Sequence, residues 1–259
     1  MTILTAGATR LDVVQVGQGR DLVLFHSLLT DRTVFDPVIP ALAAERRLTL
    51  VNLPGFGASA PAGPAIEDYA DRVALLFPAL GLAPATTDLV AMSFGGFVAI
   101  ALAAHHGSLF NRLVLVDTAA AFPEPAKAPL RGMAKRALLD GMGAVVDTAL
   151  RRMFTARFIA AHPDIVAACS ETLLRARPEH FATACRALAD LDLRPALGEI
   201  GNPTLVVVGA LDVTTPPALA RELAAGIAGS RLVEIPECAH CPPIEQPEEL
   251  ARALGVFLI

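Results

Sequence analysis

The chain has 259 residues, 54 % hydrophobic but only 5 % aromatic and without Trp, so its core has to be built from Ala, Leu, Val and Ile. That length suits one α/β domain carrying an insertion and is enough to bury most of the apolar surface in a single core. A formal net charge of −5 argues against nucleic acid as a partner, and Cys169, Cys185, Cys238 and Cys241 are too few and too irregularly spaced for a disulfide framework.

The residues up to Asp12 lack the basic-then-apolar pattern of a secretion signal, so with reduced thiols a cytoplasmic protein is expected. Strands are expected at residues 11–16, 21–25, 48–52, 88–91, 113–116, 204–208 and 232–235. Several are continuous Val/Leu runs rather than alternations, which suits strands covered on both faces of a parallel sheet. Helical patterns fall between them at 34–44, 66–80, 97–105 and 217–225, and the alternation indicates βαβ units.

In chain order, the first loop of interest is His26-Ser27-Leu28-Leu29-Thr30-Asp31, after the strand at 21–25. Open α/β sheets build sites beyond the carboxyl ends of their strands. The backbone N–H of Leu28 is the candidate for one of two donors to an oxyanion, and His26 is expected to bond loop backbone rather than carry protons. The next loop, Asn52-Leu53-Pro54-Gly55-Phe56-Gly57-Ala58-Ser59, is rich in turn residues but is no dinucleotide fingerprint, because the third glycine and the later acidic residue are misplaced. It reads as a tight turn at the edge of a site.

Residues 89–111 carry no formal charge. Gly95-Gly96 and His105-His106 interrupt them, so a buried strand, a tight turn and a buried helix explain the stretch better than a membrane span. In Asp88-Leu89-Val90-Ala91-Met92-Ser93-Phe94-Gly95-Gly96-Phe97, a strand runs into a helix with Ser93 at the joint. Such a turn lifts the serine hydroxyl to the top of the sheet and strains its backbone. It also brings together the positions two before and two after the serine, and Ala91 and Gly95 are both small. The Phe94 N–H, at a helix N-terminus, is the other candidate oxyanion donor.

No strand is expected from about 120 to 194. Helical pieces at 133–139, 144–154 and 178–188 suggest a helical cap over residues 120–194, inserted in a core of residues 1–119 and 195–259. The cap holds 11 of the 21 Lys and Arg and 8 of the 26 Asp and Glu. Most of these charges read as solvated helix faces, but the surplus of cations leaves room for an anionic substrate.

A serine needs a base within hydrogen-bond reach, and the base needs an orienting group. Of six His, His240 follows the strand at 232–235 and a short loop and precedes Pro242-Pro243. Asp212 lies in the Gly-rich turn Gly209-Ala210-Leu211-Asp212-Val213-Thr214-Thr215 after the strand at 204–208, and is the candidate orienting acid. Asp117, at the end of the strand at 113–116, is the rival. Cys238 and Cys241 flank His240, but no second ligand pair stands at zinc spacing, so no metal is expected.

With Ser93-Phe94-Gly95-Gly96, the later Asp212 and His240, Leu115-Val116-Asp117-Thr118-Ala119-Ala120 and the cap segment Ala189-Asp190-Leu191-Asp192-Leu193-Arg194, the chain resembles the α/β-hydrolases along nearly its whole length. Within them it is most similar to 3-oxoadipate enol-lactonases. The resemblance implies an α/β-hydrolase fold: a mostly parallel central sheet, helices on both faces and a helical cap. It implies a serine hydrolase of a small-molecule ester or lactone, acting without metal or organic cofactor in aromatic-compound degradation. Three positions depart from the usual pattern: Ala91 for Gly, Asn52 for Asp and Phe35 for Trp. A carbon–carbon bond hydrolase of ring-cleavage diketones, or a ligand receptor on the same fold, are the alternatives.

Overall fold

Continuous apolar runs become the centre of one eight-stranded sheet. The computed structural model describes residues 2–7 and 9–258. The strands are β1 (Thr2–Ala6), β2 (Thr9–Val16), β3 (Arg20–Phe25), β4 (Arg46–Asn52), β5 (Thr87–Met92), β6 (Leu113–Val116), β7 (Thr204–Gly209) and β8 (Arg231–Ile235). Their order is β1-β2-β4-β3-β5-β6-β7-β8. β1 and β2 pair antiparallel, as do β2 and β4, and every pairing from β4 to β8 is parallel. Every residue of β5, β6 and β7 is buried, as expected where helices cover both faces of a parallel sheet. The apolar lines Leu89-Val90-Ala91, Leu113-Val114-Leu115 and Leu205-Val206-Val207 have no exposed face to match with polar residues.

The helices are α1 (Ile39–Leu42), α2 (Ile66–Ala74), α3 (Leu76–Ala79), α4 (Phe94–His106), α5 (Glu124–Asp140), α6 (Gly143–Met153), α7 (Ala156–Ala161), α8 (Pro163–Leu174), α9 (Pro178–Asp190), α10 (Pro217–Gly226), α11 (Pro242–Glu245) and α12 (Pro247–Phe257). Two expected helices are broken, and proline explains both. The helix expected at 34–44 is a 3-10 helix over Arg32–Val38 followed by the single turn α1, because neither Pro37 nor Pro40 can donate a helical hydrogen bond. The helix expected at 66–80 stops at Ala74 and resumes at Leu76, because Pro78 cannot donate to the Ala74 carbonyl four residues back. The helix expected at 97–105 starts three residues earlier, directly after Ser93.

Five helices, α5 to α9, fill the connection between β6 and β7. α5 and α9 pack on each other, and α6 packs on both α5 and α8. The two ends of the insertion meet at an isolated antiparallel bridge between Ala121 and Asp192, beside which the Leu193 N–H donates to the Ala120 carbonyl at 2.8 Å. Among the described residues no helix is long and apolar enough to cross a membrane.

Candidate active site

Three loops at the carboxyl ends of β5, β7 and β8 carry Ser93, Asp212 and His240. Ser93 sits at φ 50°, ψ −114°, on the left-handed side that non-glycine residues avoid. Its surroundings hold it there. The Ser93 N–H donates to the Val116 carbonyl at 2.8 Å, and the Ser93 carbonyl accepts from the Phe97 N–H and the Thr118 hydroxyl, each at 3.1 Å. The turn needs small neighbours. A Cβ on Gly95 would lie 2.7 Å from Phe25 Cβ and from the carbonyl oxygens of Phe25 and His26, and one on Gly96 would lie 2.6 Å from Thr118 Cβ. Ala91 is fully buried beside Phe25 and Leu115 on the neighbouring strands, so the turn accommodates its methyl at the position where the resemblance leads to an expectation of glycine.

The three side chains form a hydrogen-bonded row. The Ser93 hydroxyl donates to His240 Nε2 at 2.8 Å, and His240 Nδ1–H donates to Asp212 Oδ2 at 2.7 Å. An acceptor carboxylate on Nδ1 leaves Nε2 as the basic nitrogen facing the serine. All three are buried, Ser93 at 6 %, Asp212 at 3 % and His240 at 1 % exposure, so water competes little for these bonds.

Asp212 is surrounded by donors. Its Oδ1 accepts from the Thr214 N–H at 2.6 Å and the Thr215 N–H at 3.1 Å, and its Oδ2 accepts from the Thr215 hydroxyl at 2.8 Å. Burial alone would raise its pKa, but the charge and hydrogen bond of His240 and the bonds from Thr214 and Thr215 outweigh it and hold the carboxyl below its ordinary value. Thr214 and Thr215 were not singled out from the sequence. The readable signal was an Asx-turn, an aspartate followed two and three residues on by N–H groups it can hold.

The rival acid, Asp117, lies beside this row. Potential ligand atoms of Asp117, Asp212 and His240 are all within 4.8 Å of one another. Asp117 Oδ1 accepts from the Gly209 N–H at 2.8 Å, but its Oδ2 is buried without a partner. Burial pushes its carboxyl well above the ordinary range, and the Asp212 charge pushes the same way. It is Asp212, and not Asp117, that His240 contacts.

Of the expected oxyanion donors, Phe94 directly follows Ser93, and Leu28 lies buried in the loop after β3, whose His26 carbonyl accepts from the Gly95 N–H at 3.0 Å. Phe94 opens α4, and among the described residues neither N–H donates to a protein acceptor. His26 is fully buried between two backbone partners: Nδ1–H donates to the Ser27 carbonyl at 2.7 Å, and Nε2 accepts from the Leu53 N–H at 3.0 Å. Burial lowers its pKa to about 4, so the ring is a neutral brace between two loops. Asn52 faces Asp12 across β4 and β2 and donates to its Oδ2 at 2.8 Å. A cavity of about 390 Å³ opens beside Leu29, between Val34, Asp36 and Ile244 of the core and Ile165 and Cys169 of α8.

Residues 22–253 match the model of the alpha/beta hydrolase family. The chain is 32 % identical to 3-oxoadipate enol-lactonase 2 of Acinetobacter baylyi, over 98 % of this chain and 95 % of that one. It is also 32 % identical to a pimeloyl-[acyl-carrier protein] methyl ester esterase of Chromobacterium violaceum, over 96 % and 98 %. Among solved structures, the enol-lactonase from Burkholderia xenovorans LB400 superposes with a TM-score of 0.92 at 32 % identity, covering 99 % of each chain. A strand-turn-helix serine in a mostly parallel eight-stranded sheet and a family match along almost the whole length lead to one assignment: the chain belongs to the alpha/beta hydrolase family.

Proposed function

We propose that the protein is a serine hydrolase that cleaves a carboxylic ester or lactone through an acyl-enzyme. The observation that carries this reading is the unbroken row Ser93 Oγ–His240 Nε2–His240 Nδ1–Asp212 Oδ2, with links of 2.8 and 2.7 Å. In the reaction, His240 Nε2 takes the Ser93 proton as Oγ attacks the carbonyl carbon. The resulting imidazolium is stabilised by Asp212, and the oxyanion is held by the N–H groups of Phe94 and Leu28. His240 returns the proton to the leaving alkoxide. It then deprotonates water, which attacks the acyl carbon, releases the acid and restores the Ser93 hydroxyl.

Both kinds of relative, a lactonase and a methyl ester esterase, break an acyl–oxygen bond, which supports that bond as the target here. The helical segment of residues 120–194 acts as a cap, contributing α8 to the wall of the cavity beside Leu29. The lining of that cavity holds no Lys or Arg and one carboxylate, Asp36, which favours an uncharged acyl or alcohol group there over an anionic one. Replacing Ser93 by Ala tests the reading: turnover of p-nitrophenyl acetate by the purified protein should fall by about a millionfold. Undiminished turnover would remove Ser93 from the reaction.

A further inference from the structure

One carboxylate joins the inserted helices to the base loop at three hydrogen bonds. Glu245, at the end of α11, accepts at both oxygens. Its Oε1 takes the Thr155 N–H at 2.8 Å and the Thr155 hydroxyl at 2.7 Å, and its Oε2 takes the Ala239 N–H at 2.6 Å. Thr155 opens α7 in the insertion, and Ala239 immediately precedes His240. Two further bonds run from the same joint between α6 and α7. The His240 N–H donates to the Met153 carbonyl at 3.0 Å, and the Thr214 hydroxyl donates to the Arg152 carbonyl at 3.1 Å. Residues 152–155 therefore touch the loop of the base and the loop of the acid together. Glu237, two residues before Ala239, sits at φ 53°, so the base loop follows an unfavourable backbone path and depends on outside restraints.

We propose that Glu245 is a positioning residue for His240: it clamps the joint of residues 152–155 to the base loop, so that the seating of the cap sets the aim of the imidazole at Ser93. This rests on the serine-hydrolase reading above. A carboxylate offers acceptors only, and here all three short bonds come from donors. Glutamine at 245 would turn an NH₂ group toward either the Thr155 N–H or the Ala239 N–H, opposing donor to donor and opening one arm of the clamp.

The test compares the full chain with Glu245→Gln, Thr155→Val, their double variant and Thr155→Ser, all on p-nitrophenyl acetate, with competent sites counted by fluorophosphonate labelling of Ser93. Glu245→Gln should lower kcat per labelled site by about ten- to a hundredfold, the effect of a small misplacement of a reacting group, with KM little changed. Thr155→Ser, which keeps the hydroxyl, should behave as the parent. Thr155→Val should lose part of the same kcat, and the double variant should be no worse than the more damaged single, because both act through one carboxylate. If Glu245→Gln and Thr155→Val lowered the melting temperature but left kcat per labelled site at the parent value, Glu245 would be purely structural and the proposal would be overturned. Should Glu245→Gln fail to fold, the Thr155 pair alone decides by the same criterion. A parent protein whose Ser93 takes no label contradicts the serine-hydrolase reading itself, an outcome distinct from the failure of the clamp.

Discussion

Asp117 and Asp212 bring carboxylate oxygens within 4.8 Å of one another and of a His240 ring nitrogen, yet their surroundings push them opposite ways. Asp212 is met by the donors of Thr214, Thr215 and His240, whereas Asp117 has one donor, the Gly209 N–H, and a second oxygen with no partner. Asp212 is thereby held low and Asp117 high. Two like charges this close in a dry site oppose each other's ionisation, and the better-solvated one keeps its charge.

Asparagine at each position separates their roles. Asp212→Asn should lower kcat by about ten-thousandfold, because the imidazole loses the acceptor that fixes its tautomer. Asp117→Asn keeps an oxygen for the Gly209 N–H and should leave kcat nearly unchanged. A folded-state carboxyl pushed upward stabilises the fold fully below its unfolded pKa and loses that contribution as pH rises through the folded value. The stability of Asp117→Asn relative to the parent should therefore improve from pH 4 upward in urea titrations. If Asp117→Asn were as inactive as Asp212→Asn, the orienting role would have to be shared.

His26 gives the stability curve an acid limb. Its pKa is lowered by burial from 6.5 to about 4, so between those values the unfolded chain binds the proton that the folded ring refuses. The stabilising contribution is complete above pH 6.5 and drains away toward pH 4, on the order of 3 kcal/mol in all. Chemical denaturation at pH 7, 6, 5 and 4 should show this loss, and His26→Asn should flatten it. A variant with the parent's slope would mean that other groups govern the acid limb.

The serine turn tolerates no side chain two residues on. Gly95→Ala would press its methyl to 2.7 Å from the carbonyl oxygens of Phe25 and His26, which are fixed in β3 and the loop after it. Overpacking of this kind costs about 1–3 kcal/mol. Much of the strain should appear at Ser93 and Leu28, so both melting temperature and kcat should drop. Gly132, whose Cβ would meet nothing within 4 Å, is the control, and Gly132→Ala should lose neither.

Asn52 stands where the resemblance leads to an expectation of Asp, and its partners suit an amide. Its amide donates to Asp12 Oδ2 at 2.8 Å, and its Oδ1 accepts from the Arg32 N–H at 2.9 Å. Asn52→Asp would set a second carboxylate against Asp12 and leave a buried acceptor facing another, a loss of about 1–3 kcal/mol. Thermal melts at pH 7 should register it as a lowered melting temperature. An unchanged melting temperature at pH 7 would show that Asp12 is free to turn away.

The parts legible in sequence are those governed by local pattern. Strands β2 to β8 announce themselves as short apolar runs, and the three site loops follow strand ends. β1 does not: Thr2–Ala6 is an edge strand with mostly exposed residues, so it carries no hydrophobic signature. α8 was missed for a similar reason, since Leu173 is its one fully buried residue and its apolar stripe is weak. The Ser93, Asp212 and His240 row could be guessed because each residue sits in its own recognisable turn. Glu245 could not, because its meaning lies in Thr155, 90 residues away, and in a fold of the insertion that no local spacing reveals.

The most direct test of the central claim is to trap the acyl group. The protein is mixed with a p-nitrophenyl ester, quenched within the first turnover and digested, and its peptides are weighed. The expected result is a p-nitrophenol burst equal to the enzyme concentration and an acyl mass on the peptide carrying Ser93, both absent in Ser93→Ala. Steady hydrolysis without a burst, with the acyl mass elsewhere or nowhere and unchanged in Ser93→Ala, would contradict it.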